Sequence, residues 1–300
     1  MITNSTTPTT GPSVVVLDTL AGYSAHLENE RRTGRTVGVV LTMGALHRGH
    51  AALISRASSE CEVVAVSIFV NPTQFAETAD LTSYPRTLDA DVDVATSAGA
   101  SIVFAPAVTE MYPGWPVPSA TTVSVRGLAE RWEGLSRPGH FDGMATVVTK
   151  LLSASGRCRT YFGEKDFQQL AIVRSVVRDL SMPVDVVGCA TVREPDGLAL
   201  SSRNARLDPD QRAAALCLSR ALRAGSSALA GGADRSGVEA AMVDVVAGEP
   251  QVTLDYAVLV DAATLEQADE APSTGSLRLL IAATVARVRL IDNCDPLGPV

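Results

Sequence analysis

The sequence predicts an α/β protein: a Rossmann-like, doubly wound parallel sheet followed by a smaller α+β region. Two continuous β-branched runs, residues 37–42 and 63–70, are typical of strands buried on both faces. Segments with helical periodicity lie between such runs, and this order indicates crossover connections in a parallel sheet. Sheets of this kind bind ligands beyond the carboxyl ends of their strands.

In the first 190 residues, each element follows from its apolar pattern and its boundary signals. Apolar side chains at Leu20, Tyr23 and Leu27, with charges between them, indicate an amphipathic helix. The Asn71-Pro72 pair ends the second strand. The predicted order is helix 18–32, strand 37–42, a helix ending near 60, strand 63–70, helix 89–99, strand 101–105, loops with short elements over 110–143, helix 168–180 and strand 184–187.

After Arg206 the pattern changes to a long Ala/Leu/Arg-rich helix. Asp208 at its N-cap and Pro209 at its first position mark the start, and Gly231-Gly232 marks the end. A second helix follows, then strands at 252–260, 277–282 and 285–291. The predicted organisation is therefore a disordered tail over 1–13, a Rossmann-like domain over 14–190 and an α+β domain over 191–300.

The composition excludes several classes of protein. Of 300 residues, 46% are hydrophobic and 19% are charged, which is enough apolar material for a core and excludes wholesale disorder. No apolar run reaches about eighteen residues, so no membrane-spanning helix is predicted, and the polar residues 1–13 are unlike a signal peptide. A net charge of −8 argues against nucleic-acid binding. The five cysteines form no CxxC pair, so we expect free thiols and a cytoplasmic location.

The strongest chemical signal is the segment Gly44-Ala-Leu-His47-Arg-Gly49-His50, between a predicted strand and a predicted helix. The free N–H groups of a first helical turn favour an anion such as a triphosphate, and the glycines let a nucleotide approach the backbone. An imidazole can donate to a phosphate oxygen as charge develops there. The alternative is two ordinary surface or core histidines. A zinc site is disfavoured, because no Cys or Glu accompanies them at ligand spacing.

Two further segments carry polar side chains that could bind phosphates. In Gly163-Glu-Lys165-Asp166, Lys165 can pair with a phosphate, and Asp166 can accept from ribose hydroxyls or cap a helix. A solvated charged turn explains this segment about equally well. In Ser201-Ser202-Arg203-Asn204, hydroxyls and a guanidinium could form a mobile clamp over a polyphosphate, although a helix-capping loop is the commoner reason for such a cluster.

Three weaker signals complete the set. Gln74 follows the second strand and offers a donor and an acceptor to a hydroxy-carboxylate. Among Asp89, Asp91 and Asp93, one carboxylate with substrate phosphates would be a normal magnesium arrangement, but a solvated helix face is the favoured explanation. The segment Arg137-Pro-Gly-His-Phe lines a substrate or simply forms a turn.

Taken together, these motifs resemble a known family. Residues 43–50 are similar to the histidine signature of the nucleotidyltransferase superfamily that includes class I aminoacyl-tRNA synthetases, and residues 201–204 are similar to its KMSKS-type signature. With the motifs at 69–75, 84–87, 137–141 and 163–169, the pattern resembles the pantoate–β-alanine ligase family from about residue 37 to 207. The C-terminal third is similar only in its general texture.

The resemblance implies a reaction and its participants. In that family, pantoate and ATP form an enzyme-bound pantoyl adenylate with release of pyrophosphate, and β-alanine then gives pantothenate and AMP. ATP is thus the implied co-substrate and Mg²⁺ the implied cofactor, with pantoate bound in the Rossmann-like domain. The resemblance further implies a homodimer, whereas the composition and charge are the reasons to expect a cytoplasmic chain with no nucleic-acid or membrane partner.

The resemblance also implies roles for individual residues. His50 is at the position of the proton donor. Gln74 and Gln169 would bind pantoate, and Gln74 would also lie near β-alanine. Asp91 is at a magnesium position. The groups that would hold the phosphates and the leaving pyrophosphate are His47, Lys165, Ser201, Ser202 and Arg203. The implied ATP-binding residues are Met43, Gly44, Ala45, Leu46, His47, Arg48, Gly49, His50, Gly163, Glu164, Lys165, Asp166, Val192, Leu200, Ser201, Ser202 and Arg203.

Several positions depart from the family pattern. Arg48 stands where Glu is usual, and we expect its side chain to point outward with little effect. Leu200 replaces a usual Met of similar volume, and Ala205 replaces a larger residue, which would loosen the second signature loop. Residues 153–159 also depart from the usual apolar pattern. None of these changes removes a catalytic group.

Three other functions remain open from the residues alone: transfer of a whole AMP or CMP to a phosphate substrate, a catalytically silent nucleotide-binding module, and RNA binding. The set formed by His47, His50 and Lys165 disfavours the silent module, and the lack of a basic patch disfavours RNA binding. The product separates the transferase from the ligase, because only the ligase releases free AMP.

Overall fold

The strands of the chain form two sheets in the computed structural model, which describes residues 14–75, 78–268 and 276–298. The strands are β1 (Val15–Leu17), β2 (Val37–Thr42), β3 (Val63–Ile68), β4 (Ile102–Phe104), β5 (Cys158–Gly163), β6 (Val184–Cys189), β7 (Val252–Asp261), β8 (Leu277–Val285) and β9 (Val288–Cys294). In the first sheet the order is β1-β4-β3-β2-β5-β6, and all pairs are parallel. The second sheet is antiparallel, in the order β7-β8-β9.

Helices connect the strands of the first sheet and cover one face of the second. They are α1 (Leu20–Arg32), α2 (Arg48–Glu60), α3 (Thr78–Ser83), α4 (Leu88–Ser97), α5 (Val108–Met111), α6 (Glu133–Ser136), α7 (His140–Ser155), α8 (Phe167–Asp179), α9 (Pro209–Ala215), α10 (Cys217–Ala230) and α11 (Arg235–Ala247). None of the helices in the described part of the chain combines the length and the apolar character needed to cross a membrane.

Both faces of the first sheet are buried, which explains the continuous β-branched runs. Val39 of β2 packs with Leu27 of α1 on one face, and its neighbour Val40 packs with Ile54 of α2 on the other. Both valines have no exposed surface. In the second sheet, the core forms between β8 and the α10–α11 pair.

The strand order reverses between β2 and β5. From β2 the chain winds outward through β3 and β4, whereas β5 and β6 lie on the opposite side. The registers Thr42 with Ile68 and Gly163 with Cys189 bring the carboxyl ends of the strands to one edge. The loops after β2 and β5 are therefore neighbours at the switch point, where open α/β sheets bind ligands.

The fold class predicted from the sequence is confirmed, but several elements are not as predicted. Helix α7 begins inside the segment predicted as loops, and neither α7, β1 nor β5 was assigned. The long helix after Asp208 is divided at Leu216 into α9 and α10, and Val285 ends β8 instead of starting the last strand. The predicted tail lies outside the described residues, and the boundary near residue 190 remains a prediction.

Candidate active site

The loop between β2 and α2 is held in an unusual backbone conformation. Gly44 and Ala45 both have positive φ, +85° and +50°, and the second value is uncommon for a residue with a side chain. The carboxylate of Asp91 accepts from the backbone N–H of Ala45 at 3.0 Å and of Leu46 at 2.7 Å. The hydroxyl of Thr87 donates to the same carboxylate at 3.2 Å. Asp91 thus fixes the loop that carries the two histidines.

This geometry gives Asp91 a structural role, and its assignment as a magnesium ligand stays a prediction. The residue is only 3% exposed, and both of its oxygens already accept hydrogen bonds from the protein. Asp89 and Asp93 lie on the exposed side of the same helix. Among the described residues, no group of three or more His, Cys, Asp or Glu side chains is arranged to hold a metal ion.

The two histidines form the N-terminal cap of α2. Nδ1 of His47 accepts from the backbone N–H of Gly49 at 3.1 Å, and Nδ1 of His50 accepts from the backbone N–H of His47 at 3.3 Å. The rings stack with their centroids 4.1 Å apart. Because each Nδ1 is an acceptor, the neutral form of each ring carries its proton on Nε2. Both rings therefore present an Nε2–H donor.

Both imidazoles are neutral at pH 7. Burial, followed by the neighbouring His47, lowers the pKa of His50 to about 3. Burial and the nearby charge of Lys165 also lower the pKa of His47 below its ordinary value. The site thus holds two uncharged donors at a helix N-terminus, where the backbone favours an anion.

A cluster of charges lies beside the histidines. The ammonium group of Lys165, at the turn that follows β5, is 3.6 Å from the carboxylate of Asp166. The surrounding protein atoms alone would raise the pKa of Asp166, but the charges of Lys165, Arg203 and Arg137 together lower it. The described residues therefore supply three cations and one carboxylate in one electrostatic group.

The second signature forms a short 3₁₀ helix over Ser202–Arg206. Its cap is Ser201, whose hydroxyl accepts from the backbone N–H of Arg203 at 3.3 Å. Ser202 and Arg203 are exposed, and their side chains form no hydrogen bond with the described residues. Lys165, Ser201 and Arg203 line one small pocket, so the fold brings these predicted phosphate ligands together.

The remaining predicted nucleotide contacts adjoin these two segments. Val192 pairs with Leu200 through a backbone hydrogen bond of 2.9 Å, which closes the hairpin that leads to Ser201. Arg48 is mostly exposed and pairs with Glu194 of that hairpin, which agrees with the expected outward orientation.

The predicted pantoate ligands lie on both sides of the switch point. Gln74 is buried, accepts from the Asn71 amide at 3.0 Å and directs its own amide to the sulfur of Met43 at 2.9 Å. Gln169 is half-buried, and its side chain has no hydrogen-bond partner among the described residues. A cavity of about 430 Å³, whose lining includes Met43 and Asp91, opens at the ends of β2, β3 and β4.

The segment from Arg137 to Phe141, which the sequence left as a substrate-lining loop or a turn, supports Gln74. Nδ1 of His140 donates to the carbonyl oxygen of Gln74 at 2.9 Å, and Arg137 donates to Nε2 of His140 at 2.9 Å. Burial and the nearby Arg203 lower the pKa of Arg137. The sequence placed Arg137 in one of the motifs that resemble the family but did not assign it to the charged cluster.

Comparisons with known proteins identify the family of the chain. The family described as pantoate-beta-alanine ligase matches residues 15–295. The chain belongs to the pantoate–β-alanine ligase family. It is similar to the pantothenate synthetase of Salinispora arenicola, with 52% identity over 86% of this chain and 90% of the relative. It is also similar to the pantothenate synthetase of Cereibacter sphaeroides, with 50% identity over 93% of this chain and 98% of the relative.

Solved structures of the ligase family have the same fold. The pantothenate synthetase of Thermus thermophilus is 43% identical with a TM-score of 0.87, covering 95% of this chain and all of that one. The ligase of Francisella tularensis, solved with β-γ ATP and β-alanine, is 31% identical with a TM-score of 0.76. The match covers 96% of this chain and 99% of that one. The chain is therefore an enzyme, an ATP-dependent ligase that makes the amide bond of pantothenate.

Proposed function

We propose that this ligase works through an enzyme-bound pantoyl adenylate. A carboxylate oxygen of pantoate attacks the α-phosphorus of ATP, and the bond from that phosphorus to the bridging oxygen of the β-phosphate breaks, which releases pyrophosphate. The amine of β-alanine then attacks the carbonyl carbon of the mixed anhydride. AMP leaves with the C–O bonding electrons, and the amine loses a proton to solvent.

The observation that carries this proposal is the pair of neutral Nε2–H donors at the start of α2. Adenylation builds negative charge on the phosphate oxygens, and preorganised donors stabilise such charge most where water is excluded. A neutral imidazole donates a hydrogen bond without giving up its proton. His47 and His50 would act in this way, with the N-terminal backbone of α2 behind them.

The cations near the histidines would bind the phosphates that leave as pyrophosphate. Lys165 approaches the histidines closely enough to lower the pKa of His47, and Arg203 lies on an exposed turn, where its guanidinium has no ion-pair partner within the described part of the chain. Ser201 and Ser202 would add hydroxyl donors. Since Arg203 is not fixed by a hydrogen bond with the described residues, we propose that this turn closes over the β- and γ-phosphates once ATP is bound.

The acid substrate would lie between Gln74 and Gln169. Both amides offer a donor and an acceptor to the hydroxyls and carboxylate of pantoate, and Gln74 is held from behind by Asn71 and His140. β-Alanine would enter near Gln74.

Magnesium, the assembly and the location belong to the same proposal. Because both oxygens of Asp91 already accept hydrogen bonds from the protein, we propose that Mg²⁺ arrives bound to the ATP phosphates, whose charge it neutralises. The resemblance supports a homodimer, for which light scattering would give twice the chain mass of 31.3 kDa. The five free cysteines and the use of ATP support a cytoplasmic location.

Analysis of the products tests the proposed reaction. The purified chain with ATP, Mg²⁺, pantoate and β-alanine is expected to give pantothenate, AMP and pyrophosphate in equal amounts. Release of ADP and phosphate would contradict an adenylate, and retention of the AMP group in a dinucleotide would indicate nucleotidyl transfer instead.

A further inference from the structure

Two neighbouring residues of β9, Asp292 and Asn293, contact both loops that carry the proposed phosphate-binding side chains. Both are buried, with 4% and 3% of their surface exposed. They belong to the second sheet, whereas Lys165 follows a strand of the first. A buried polar group is costly unless it is fully hydrogen-bonded, so the partners of these two side chains are informative.

Asn293 uses its whole side chain to hold the turn of Lys165. Its amide nitrogen donates to the carbonyl oxygen of Glu164 at 2.9 Å and to that of Lys165 at 2.8 Å. Its amide oxygen accepts from Nε of Arg278 at 2.8 Å. Both protons of the amide are therefore used on consecutive carbonyls of the turn.

Arg278 contacts residues on both sides of Lys165 in the chain. Its guanidinium donates to the carboxylate of Glu164 at 3.1 Å and lies 4.2 Å from the ring centroid of Phe167. The backbone of Lys165 is thus fixed from the second sheet, while its ammonium group pairs with Asp166 at 3.6 Å and has no other ion pair among the described residues. That arrangement leaves the charge free to meet a phosphate.

Asp292 holds the other loop. Its carboxylate accepts two hydrogen bonds from Arg193, at 2.7 Å and 3.1 Å. Arg193 also donates to the carbonyl oxygen of Gly197 and pairs with Ala199 in the hairpin that leads to Ser201. One end of β9 therefore joins the turn of Lys165 to the hairpin of the second signature.

We propose that Asn293 is a positioning residue for adenylation, which sets the place of the Lys165 ammonium group through the carbonyl oxygens of Glu164 and Lys165. This inference rests on the proposed role of Lys165. A group displaced by about 1 Å can cost about 100-fold in rate, so the precision of this turn affects the chemical step itself.

Asn293→Asp is the most informative substitution. It keeps the shape and the acceptor for Arg278, but it faces the two carbonyl oxygens with a carboxylate that has no donor. We expect pantoate-dependent ATP–pyrophosphate exchange to fall about 10- to 100-fold. Asn293→Ala removes the donors without adding a charge, and we expect it to lower the exchange rate as well. This variant covers the case in which the Asp variant does not fold.

A double-mutant cycle separates positioning from general stability. If Asn293 acts through Lys165, Asn293→Asp costs much less in a Lys165→Ala background than in the natural chain. Val238→Ala, in the core of the second sheet, is the control: it lowers the melting temperature but leaves the exchange rate of the folded enzyme near normal.

Each outcome bears on a different claim. Equal costs of Asn293→Asp in both backgrounds, or normal exchange in both Asn293 variants, would overturn the inference while the role of Lys165 stands. Normal exchange in Lys165→Ala would overturn the proposed role of Lys165 first, and with it the function proposed for Asn293.

Discussion

At the scale of single residues, the chemistry of the site depends on which nitrogen of each histidine carries the proton. His47 and His50 each accept a backbone hydrogen bond at Nδ1, whereas His140 donates from Nδ1 to the carbonyl oxygen of Gln74. The first two rings therefore carry Nε2–H and the third carries Nδ1–H. Backbone groups thus select which ring nitrogen of each histidine is the hydrogen-bond donor.

Nitrogen NMR of the free enzyme tests this assignment. We expect the Nε2–H form for His47 and His50, the Nδ1–H form for His140, and no protonation of His50 between pH 5.5 and 8, roughly, because its pKa is lowered to about 3. A protonated His50 ring at pH 6 would contradict a neutral donor.

The same lowered pKa predicts how stability depends on pH. The unfolded chain binds a proton at His50 near pH 6.5, but the folded chain does not until about pH 3. The contribution of His50 to the free energy of unfolding is therefore complete above about pH 6.5 and is lost progressively as the pH falls toward 3. Thermal unfolding measured from pH 7 to 4 is expected to show a falling melting temperature.

Asp91 illustrates how far sequence reasoning reaches at this scale. The residues alone favoured a solvated helix face and the family resemblance implied a magnesium position, but the carboxylate accepts from backbone N–H groups 45 and 46 residues away in the chain. No local pattern reveals such a contact. The histidine signature was recognisable because all its residues lie in one loop and its first helical turn.

Asp91→Asn separates the two roles. If Asp91 fixes the loop, an amide cannot replace it, because the NH₂ of the amide would face a backbone N–H group. We therefore expect a lower melting temperature and a loss of exchange activity of at least about 10-fold. The magnesium concentration for half-maximal activity stays unchanged. Asp89→Asn, on the exposed side of the same helix, is the matched control with no effect on either property. A raised magnesium requirement at normal stability would favour a metal ligand.

At the scale of elements, the short helix α6 is joined to the second sheet by a partly buried ion pair. Glu133 accepts from both terminal nitrogens of Arg289 on β9, at 2.7 Å and 2.6 Å, and from the hydroxyl of Tyr256 on β7 at 2.9 Å. Burial would raise the pKa of Glu133, but Arg289 and Tyr256 together lower it. The carboxylate therefore stays ionised where α6 meets β7 and β9.

Glu133→Gln is expected to lower the free energy of unfolding by about 1.5–3 kcal/mol, because the half-buried Arg289 loses the carboxylate that accepts from both of its terminal nitrogens and keeps only Asp255 as a charged partner. Glu266→Gln, which breaks the exposed pair with Arg131, is expected to change it by less than about 1 kcal/mol. Urea unfolding of both variants measures the difference. Equal effects would show that burial adds nothing to the first pair.

The elements that sequence analysis missed share a physical cause. Helix α7 starts at His140 directly after Pro-Gly, and eleven of its sixteen residues are buried, so it lacks the amphipathic pattern that marks a surface helix. Strand β5 carries Arg159 and Thr160 among its apolar residues and pairs with strands on both sides. Their assignment depends on contacts made by the finished sheet.

At the scale of the whole molecule, the parallel sheet places the loops after β2 and β5 side by side, and β9 of the second sheet holds the turn of Lys165 and the hairpin before Ser201. The fold class, the strands around the histidine signature and the main phosphate-binding candidates could be read from the sequence, because each depends on a local pattern. The support from Asp91, His140 and Asn293 could not, because it joins residues that are distant in the chain.

The central claim, an adenylate formed with pantoate, is tested most directly by ATP–pyrophosphate exchange with the purified enzyme and magnesium. We predict exchange that requires pantoate, proceeds without β-alanine, and falls about 100- to 1,000-fold in folded His50→Ala and Lys165→Ala variants. Absence of exchange with pantoate, in an enzyme that binds ATP and makes pantothenate, would contradict an adenylate whose formation is separate from the attack by β-alanine.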